Sequence, residues 1–194
     1  MGKIYIVAID GLDGVGKSTF TAKLMKKMKL FFSPIAYIKY IHFPAYRTTT
    51  GEKIKKLLFE TNIDENERKN QLISLNIENR MEVYRQLTDS QSIITRRRCP
   101  TIIIADRFMC SNAIYNRLQE TDWMISVSHD ELKEIVFPTI QCFAFCDPKL
   151  QLQRLQQRAS RDQYETDINM ITLNKEYPNF IDWWSNNHSG IPTF

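Results

Sequence analysis

Apolar positions recur along this chain in two alternating rhythms. Ile4-Tyr5-Ile6-Val7-Ala8-Ile9 is nearly continuous, the pattern of a strand buried on both faces. Phe20, Leu24 and Met28 then follow at intervals of four, the spacing of a helix with one buried side. A second apolar run, 35–43, predicts strand two and stops at Pro44, which has no N–H for a ladder. After the polar turn Arg47-Thr48-Thr49-Thr50-Gly51, Ile54, Leu57 and Leu58 predict a short helix. Asp64, with Glu67 three residues on, predicts the start of another. Along that helix Ile73, Ile77, Met81 and Tyr84 form the expected buried stripe. Asn76 and Arg80 lie four apart on a different face, so they can point together into a cleft.

Pro100 ends that helix, and Thr101-Ile102-Ile103-Ile104-Ala105 predicts strand three. Helical stretches are expected over 111–118 and 130–136, and the run 140–146 predicts strand four. Pro148 suits the first turn of a helix that turns Leu152 and Leu155 inward. A further helix is expected to about Tyr177, and Phe180-Ile181-Asp182-Trp183-Trp184 is expected to be a fifth strand. Strands alternating with helices predict one α/β domain over 1–194, with a five-stranded parallel sheet and helices on both faces.

Composition narrows the classes. A hydrophobic content of 43% over 194 residues is enough for a full core. A net charge of +4, from 26 basic and 22 acidic residues, is too mild to argue for nucleic acid or a membrane as partner. The run Arg96-Arg97-Arg98 reads as a solvated helix end. Cys99, Cys110, Cys142 and Cys146 show no C-x-x-C spacing, and Cys142 and Cys146 read as core residues. No leader precedes the first strand and no apolar run approaches a membrane span, so a soluble protein of a cytoplasmic, reducing compartment is expected.

Between the first strand and the first helix lies Gly11-Leu12-Asp13-Gly14-Val15-Gly16-Lys17-Ser18-Thr19, which fits G-x-x-x-x-G-K-[ST]. Glycines let the backbone wrap phosphates with its N–H groups inward, and the helix beginning near Lys17 adds the positive end of its dipole. Lys17 then supplies a cation to the β- and γ-phosphates, and the Ser18 hydroxyl a ligand to Mg²⁺. Lys17 is expected to face solvent in the empty site. The cofactor-binding set is Gly11, Asp13, Gly14, Val15, Gly16, Lys17, Ser18 and Thr19. Asp106-Arg107-Phe108 stands at the carboxyl end of strand three, where open parallel sheets bind ligands. Asp106 is therefore placed for a metal-linked or base-like carboxylate, and Arg107 for a phosphate clamp. Arg154, Arg158 and Arg161 converge on a polar segment, about 156–166, that can close over a ligand as a lid.

Together these residues resemble the thymidylate kinase family, a group of phosphate-loop (P-loop) NTPase fold. The loop from Asp10 to Thr19 is similar to that family's, including Asp13 within it. His42-Phe43-Pro44 with Thr48-x-x-Gly51 resembles its Arg-Phe-Pro segment, and Asn79-Arg80 its Asn-Arg pair. Asp106-Arg107-Phe108-x-x-Ser111 with Tyr115 resembles its Asp-Arg-Tyr-x-x-Ser block, and Asp162-Gln163-Tyr164-Glu165 the end of its lid. The resemblance implies transfer of the ATP γ-phosphoryl group to dTMP, with Mg²⁺. It implies catalytic roles for Lys17, Asp106, Arg107, Arg158 and Arg161, and metal ligation by Ser18 and Asp106. It implies acceptor contacts from Asp13, Phe43, Arg47, Asn76, Arg80, Arg107, Ser111, Tyr115 and Tyr164, and a homodimer. The loop has Gly14 where one subgroup carries a basic residue, so the lid is expected to supply the catalytic arginine.

Departures concentrate on the acceptor side. Asn76 stands where the family usually has an aromatic residue that stacks on thymine, Tyr46 where it has an arginine, and Gln163 where it has the lid arginine. Two alternatives remain at this stage. One is a deoxynucleoside kinase or a monophosphate kinase of broadened base specificity. The other is a catalytically silent nucleotide-binding relative.

Overall fold

The computed structural model describes residues 3–60, 62–89, 99–115, 137–158 and 165–194. Four strands, β1 (Ile4–Gly11), β2 (Tyr37–His42), β3 (Thr101–Asp106) and β4 (Ile140–Ala144), form a wholly parallel sheet in the order β2-β3-β1-β4. Six helices among the described residues accompany them: α1 (Lys17–Phe32), α2 (Thr49–Phe59), α3 (Glu65–Thr88), α4 (Met109–Tyr115), α5 (Pro148–Gln156) and α6 (Asp167–Asn187). Each interior strand is apolar on both sides, and the period of two divides its residues between two cores. Ile6, Ala8, Ile103 and Ala105 face α3, α4, α5 and α6, whereas Ile9 and Ile104 face α1. A smaller cluster of Ile54, Leu57 and Leu72 joins α2 to α3.

Three expectations are corrected. The segment 180–184 is not a fifth strand: it is the last part of α6, which continues through Pro178. Tyr177, Phe180, Ile181 and Trp184 recur at three- and four-residue steps, so a short apolar run that suits a strand equally suits a buried helix side. The place beside β4 is taken instead by the extended segment 192–194. There Gln141 N donates to Pro192 O, Phe194 N to Gln141 O and Phe143 N to Phe194 O. On α3 the buried side is Leu72, Asn79, Arg80, Val83 and Leu87 rather than the stripe from Ile73 to Tyr84, which is half-buried. On α1, Phe20 is 48% exposed and Thr21 takes the inward position beside Leu24, Met25 and Met28.

Helix boundaries follow the expected chemistry elsewhere. Asp64 caps α3 by accepting from Asn66 N and Glu67 N at 2.9 and 3.1 Å. Asp147 does the same for α5, with Pro148 in its first turn. Thr48 caps α2 through Gly51 N, and the Glu82 carboxylate of α3 accepts from Thr49 N, Thr50 N and the Thr50 hydroxyl. All four cysteines are free, and only Cys110 is fully buried. Among the described residues no helix is long and apolar enough to cross a membrane. The arginine run 96–98 and the helix expected over 130–136 lie outside the described residues.

Candidate active site

The carboxyl ends of β1, β2 and β3 open into a cleft of ≈ 540 Å³. From β1 the chain enters the glycine loop. A Cβ on Gly11 would lie 2.4 Å from the Ala144 carbonyl oxygen, so β4 can run alongside only because that atom is missing. Gly14, at φ +81°, lies against α5, where a Cβ would meet Gln151 O at 3.0 Å. Gly16, Lys17, Ser18 and Thr19 follow along the cleft wall at the start of α1. Val15 packs on the core instead of lining the cleft.

Lys17 departs from expectation. It is only 6% exposed, and its ammonium donates to Leu12 O at 2.8 Å within the loop. Burial, and then the nearby Arg107 cation, push Lys17 down to about 8, against the opposing pull of Asp13, Asp106 and Asp10. A strongly hydrated cation on a four-carbon stem is therefore folded back onto the loop, where a phosphate can draw it out.

At the end of β3, Arg107 takes a left-handed conformation, φ +64°. Such a turn in a non-glycine residue costs about 1–3 kcal/mol and persists where its surroundings hold it. Asp10 does much of that holding. This fully buried residue accepts Phe108 N at 2.8 Å, Ser111 N at 2.9 Å, the Ser111 hydroxyl, and Gln141 Nε2 at 3.1 Å. The turn aims the Arg107 guanidinium at Asp13, with which it pairs, and over the Tyr115 ring. The Tyr115 hydroxyl donates to Asp13 Oδ2 at 2.7 Å and accepts from Asp13 N at 2.8 Å. Burial alone would raise Asp13, but Arg107, Lys17 and Tyr115 together hold it below the usual carboxylate range. Burial alone would lower Arg107, but Asp13, Tyr115 and Asp106 together raise it.

Asp106 is 1% exposed, and its Oδ2 accepts from the Tyr40 hydroxyl at 3.2 Å and lies 3.5 Å from His42 Nδ1. Its Oδ1 has no hydrogen-bond partner among the described residues. Among those residues no cluster of three or more acidic, cysteine or histidine side chains forms a metal cage. One orphaned carboxylate oxygen and the Ser18 hydroxyl on the same cleft fit Mg²⁺, which keeps most of its ligands as water and substrate phosphate.

Another part of the cleft is lined from the ends of β2 and β3 and from α2 and α3. Phe43, Pro44, Tyr46, Ile54, Leu58, Leu72, Asn76, Arg80, Phe108 and Asn112 line it. Asn79, fully buried, accepts Ala45 N at 2.8 Å and donates to the Thr48 and Thr50 hydroxyls, which fixes the segment after Phe43. Arg80 is 2% exposed, with Nη1 on Asn76 O and Nη2 on Phe108 O, both at 2.6 Å. Its guanidinium lies 5.6 Å from the Phe43 ring centroid and 5.9 Å from that of Phe108, and burial pushes it down to about 10. The expected juxtaposition of Asn76 and Arg80 is thus present. Ser111 lines the cleft with its hydroxyl committed to Asp10. Arg47 is exposed and does not line the cleft, where its neighbour Tyr46 does.

Arg154 and Arg158 reach the cleft from the far side. Arg154 Nη1 donates to Gly14 O at 3.1 Å, and Arg158 pairs with Glu165. Arg161, Gln163 and Tyr164 lie outside the described residues, so most of the expected lid does too.

A family model for thymidylate kinase matches residues 9–181, nearly the whole of this arrangement. The chain belongs to the thymidylate kinase family. As a thymidylate kinase family member it is an enzyme, a nucleotide-binding transferase of the nucleoside monophosphate kinase type. Its fold is similar to that of solved thymidylate kinases. The Candida albicans enzyme, described as revealing the origin of broad substrate specificity, is 22% identical at a TM-score of 0.63, over 99% of this chain and 83% of that one. The Ehrlichia chaffeensis enzyme is 19% identical at 0.53, over 91% and 89%. A deoxyadenosine kinase from M. mycoides with bound dATP is 20% identical at 0.59, over 97% and 89%. No curated protein matches the sequence.

Several residues of the site were not singled out from sequence. Asp10 and Gln141 are polar residues inside apolar strand runs, and Gln151 sits one turn before Leu155 on the inward side of α5. A polar residue on a buried face was the available signal. Tyr40 and Asn174 carried none, because their partners Asp106 and Gln151 are distant in sequence.

Proposed function

We propose that this thymidylate kinase family member transfers the γ-phosphoryl group of ATP to the 5′-phosphate of dTMP, giving dTDP. The observation that carries this reading is the joining of two phosphate-binding elements across one cleft. The glycine loop and the Asp106–Ser111 block are tied by the Arg107–Asp13 pair and by Asp10. The loop N–H groups and Lys17 hold the ATP phosphates, with Lys17 leaving Leu12 O to do so. Ser18 and Asp106 would hold Mg²⁺, which would supply charge neutralisation to the ATP phosphates. Arg107 grips the acceptor phosphate, and Arg80 offers its buried Nε, which has no partner among the described residues. Asp13 meets the acceptor sugar. Arg158 leaves Glu165 to meet the charge that develops on the transferred group, a role worth about 10³–10⁵ in rate for an arginine so placed.

The acceptor base enters the slot between Phe43, Phe108, Ile54, Leu58, Leu72 and Asn76. With no aromatic ring at Asn76, this slot is more permissive than a stacking one. The broad specificity named for the Candida relative supports latitude of that kind. A homodimer belongs to the same reading, with the half-buried stripe Ile73 to Tyr84 as its face, and sedimentation of the purified chain tests it. The test of the function is ADP release from MgATP with a panel of nucleosides and nucleoside monophosphates. dTMP is expected among the best acceptors, and failure of every monophosphate would sink the proposal.

A further inference from the structure

Three successive carbonyls of the glycine loop are each held by a side-chain donor. Lys17 Nζ donates to Leu12 O, Gln151 Nε2 to Asp13 O and Arg154 Nη1 to Gly14 O. Lys17 is committed elsewhere once phosphate binds, and Arg154 is exposed. Gln151 is different, because it is fully buried on α5 and both ends of its amide are engaged. Its oxygen accepts from Asn174 Nδ2 of α6 at 2.6 Å. Asn174 Nδ2 also donates to Met170 O at 2.8 Å, so both of its hydrogens are used. Asn174 can act toward Gln151 only as a donor in this arrangement. Gln151 must therefore turn its oxygen to α6 and its NH₂ to the loop.

The consequence lies in one peptide plane. In a trans peptide the carbonyl and the following N–H point in opposite directions. Holding Asp13 O against α5 therefore sends Gly14 N–H the other way, toward the cleft. Released, the Asp13 carbonyl could rotate inward and set an oxygen against phosphate oxygens. Gly14 has the freedom to allow it, since its φ of +81° is one of many open to glycine.

We propose that Gln151, oriented by Asn174, is a positioning residue that keeps the Asp13–Gly14 peptide turned with its N–H toward the donor phosphates. The inference rests on the reading of this loop as the donor-phosphate site. It makes α6 part of the phosphate site although no residue of α6 lines the cleft.

Calorimetric titration with MgADP, paired with ATP and acceptor KM values, tests it. Gln151→Met keeps the shape and loses the donor. It is expected to weaken MgADP about tenfold and raise the KM for ATP by a similar factor, about one lost hydrogen bond, while the acceptor KM stays within about twofold. Asn174→Asp removes the donor to Gln151. The Gln151 amide then turns to donate to the new carboxylate and presents its oxygen to Asp13 O, so MgADP binding weakens again. In the double variant the Asn174→Asp exchange should cost nothing further, because the amide through which it acts is gone. A charge effect alone would instead add in full, and that result overturns the proposal. So does a lower melting temperature in either single variant with MgADP affinity unchanged. If Gln151→Met fails to fold, Asn174→Asp and Asn174→Leu decide the matter, and unchanged MgADP affinity in both overturns it. Failure of the unsubstituted enzyme to bind MgADP would sink the loop reading and the brace together, whereas wild-type binding with unaffected variants sinks the brace alone.

Discussion

Asn76→Phe should sharpen the choice of acceptor base. Asn76 lines the cleft from α3, and its Nδ2 donates to Leu72 O of its own helix at 2.7 Å. It offers a flat amide edge there, with no ring to stack on. The two aromatics best placed to replace a ring are already engaged. Phe43 and Phe108 are 5% and 2% exposed, pack edge to face at 5.8 Å, and share the Arg80 guanidinium. Neither can swing over the base without breaking that cluster. A ring at position 76 adds a stacking contact worth about 0.5–1.5 kcal/mol beyond area, or about 2- to 12-fold. The substitution gives up only a hydrogen bond within its own helix, so its effect on stability is small. Competition among dTMP, dUMP and dGMP, read as ratios of kcat/KM, measures the change. The unsubstituted enzyme is expected to prefer dTMP by less than about a thousandfold. Asn76→Phe is expected to raise the preference over dGMP, whose larger base loses room. No change in any ratio would show that position 76 does not touch the base. A wild-type preference above a thousandfold would refute the permissive slot itself.

Other consequences can be checked separately. Lys17→Met keeps the buried stem and removes the ammonium, so it should abolish transfer with a melting temperature near wild type, and surviving turnover would refute the loop assignment. Arg107→Ala should raise the acceptor KM more than that of ATP, and equal losses would make the residue structural. Glu82→Gln tests the cap on α2 and should cost about 1 kcal/mol at pH 7, as lost caps do. Hydrogen bonds from Thr50, then Thr49, hold Glu82 below its usual 4.5, so the ionised cap stabilises the fold above that value and fades as pH falls through the lowered one. Urea midpoints of the two proteins should therefore converge in acid, and a gap that persists unchanged below about pH 3 would contradict the charge-based account.

What could be read from the sequence depended on how far apart partners lie. The loop, its flanking strand and helix, and the Asp106–Ser111 block were legible because their chemistry is carried by adjacent residues. The segment 180–184 was misread because a five-residue run with four apolar residues fits a strand and one side of a helix equally well. The packing of Tyr177 and Trp184 on Phe143, at 6.1 and 6.4 Å, decided for the helix, and those contacts span more than thirty residues. The burial of Lys17 was missed for a similar reason. A lysine in a glycine loop looks solvated until Leu12 O is seen to accept from it. Ser111 was legible as part of a signature, yet its hydroxyl answers to Asp10 rather than to a ligand.

The committed state of the cleft carboxylates bears on the competing reading, a kinase acting on a nucleoside hydroxyl. A hydroxyl must lose its proton to attack, and so needs a carboxylate free to accept it. Among the described residues three carboxylates line the cleft: Asp13, Asp106 and Glu165. Asp13 is tied to Arg107 and Tyr115, and Glu165 to Arg158. Asp106 keeps one oxygen open, but β2 brings His42, not a carboxylate, to its side. An acceptor phosphate is different, for its oxygen is already an anion and asks only for orientation and charge neutralisation. A site rich in fixed cations, with one unpartnered carboxylate oxygen suited to a metal, serves that acceptor better. The likeness to a deoxyadenosine kinase does not alter this, since at 20% identity it is a likeness of fold alone.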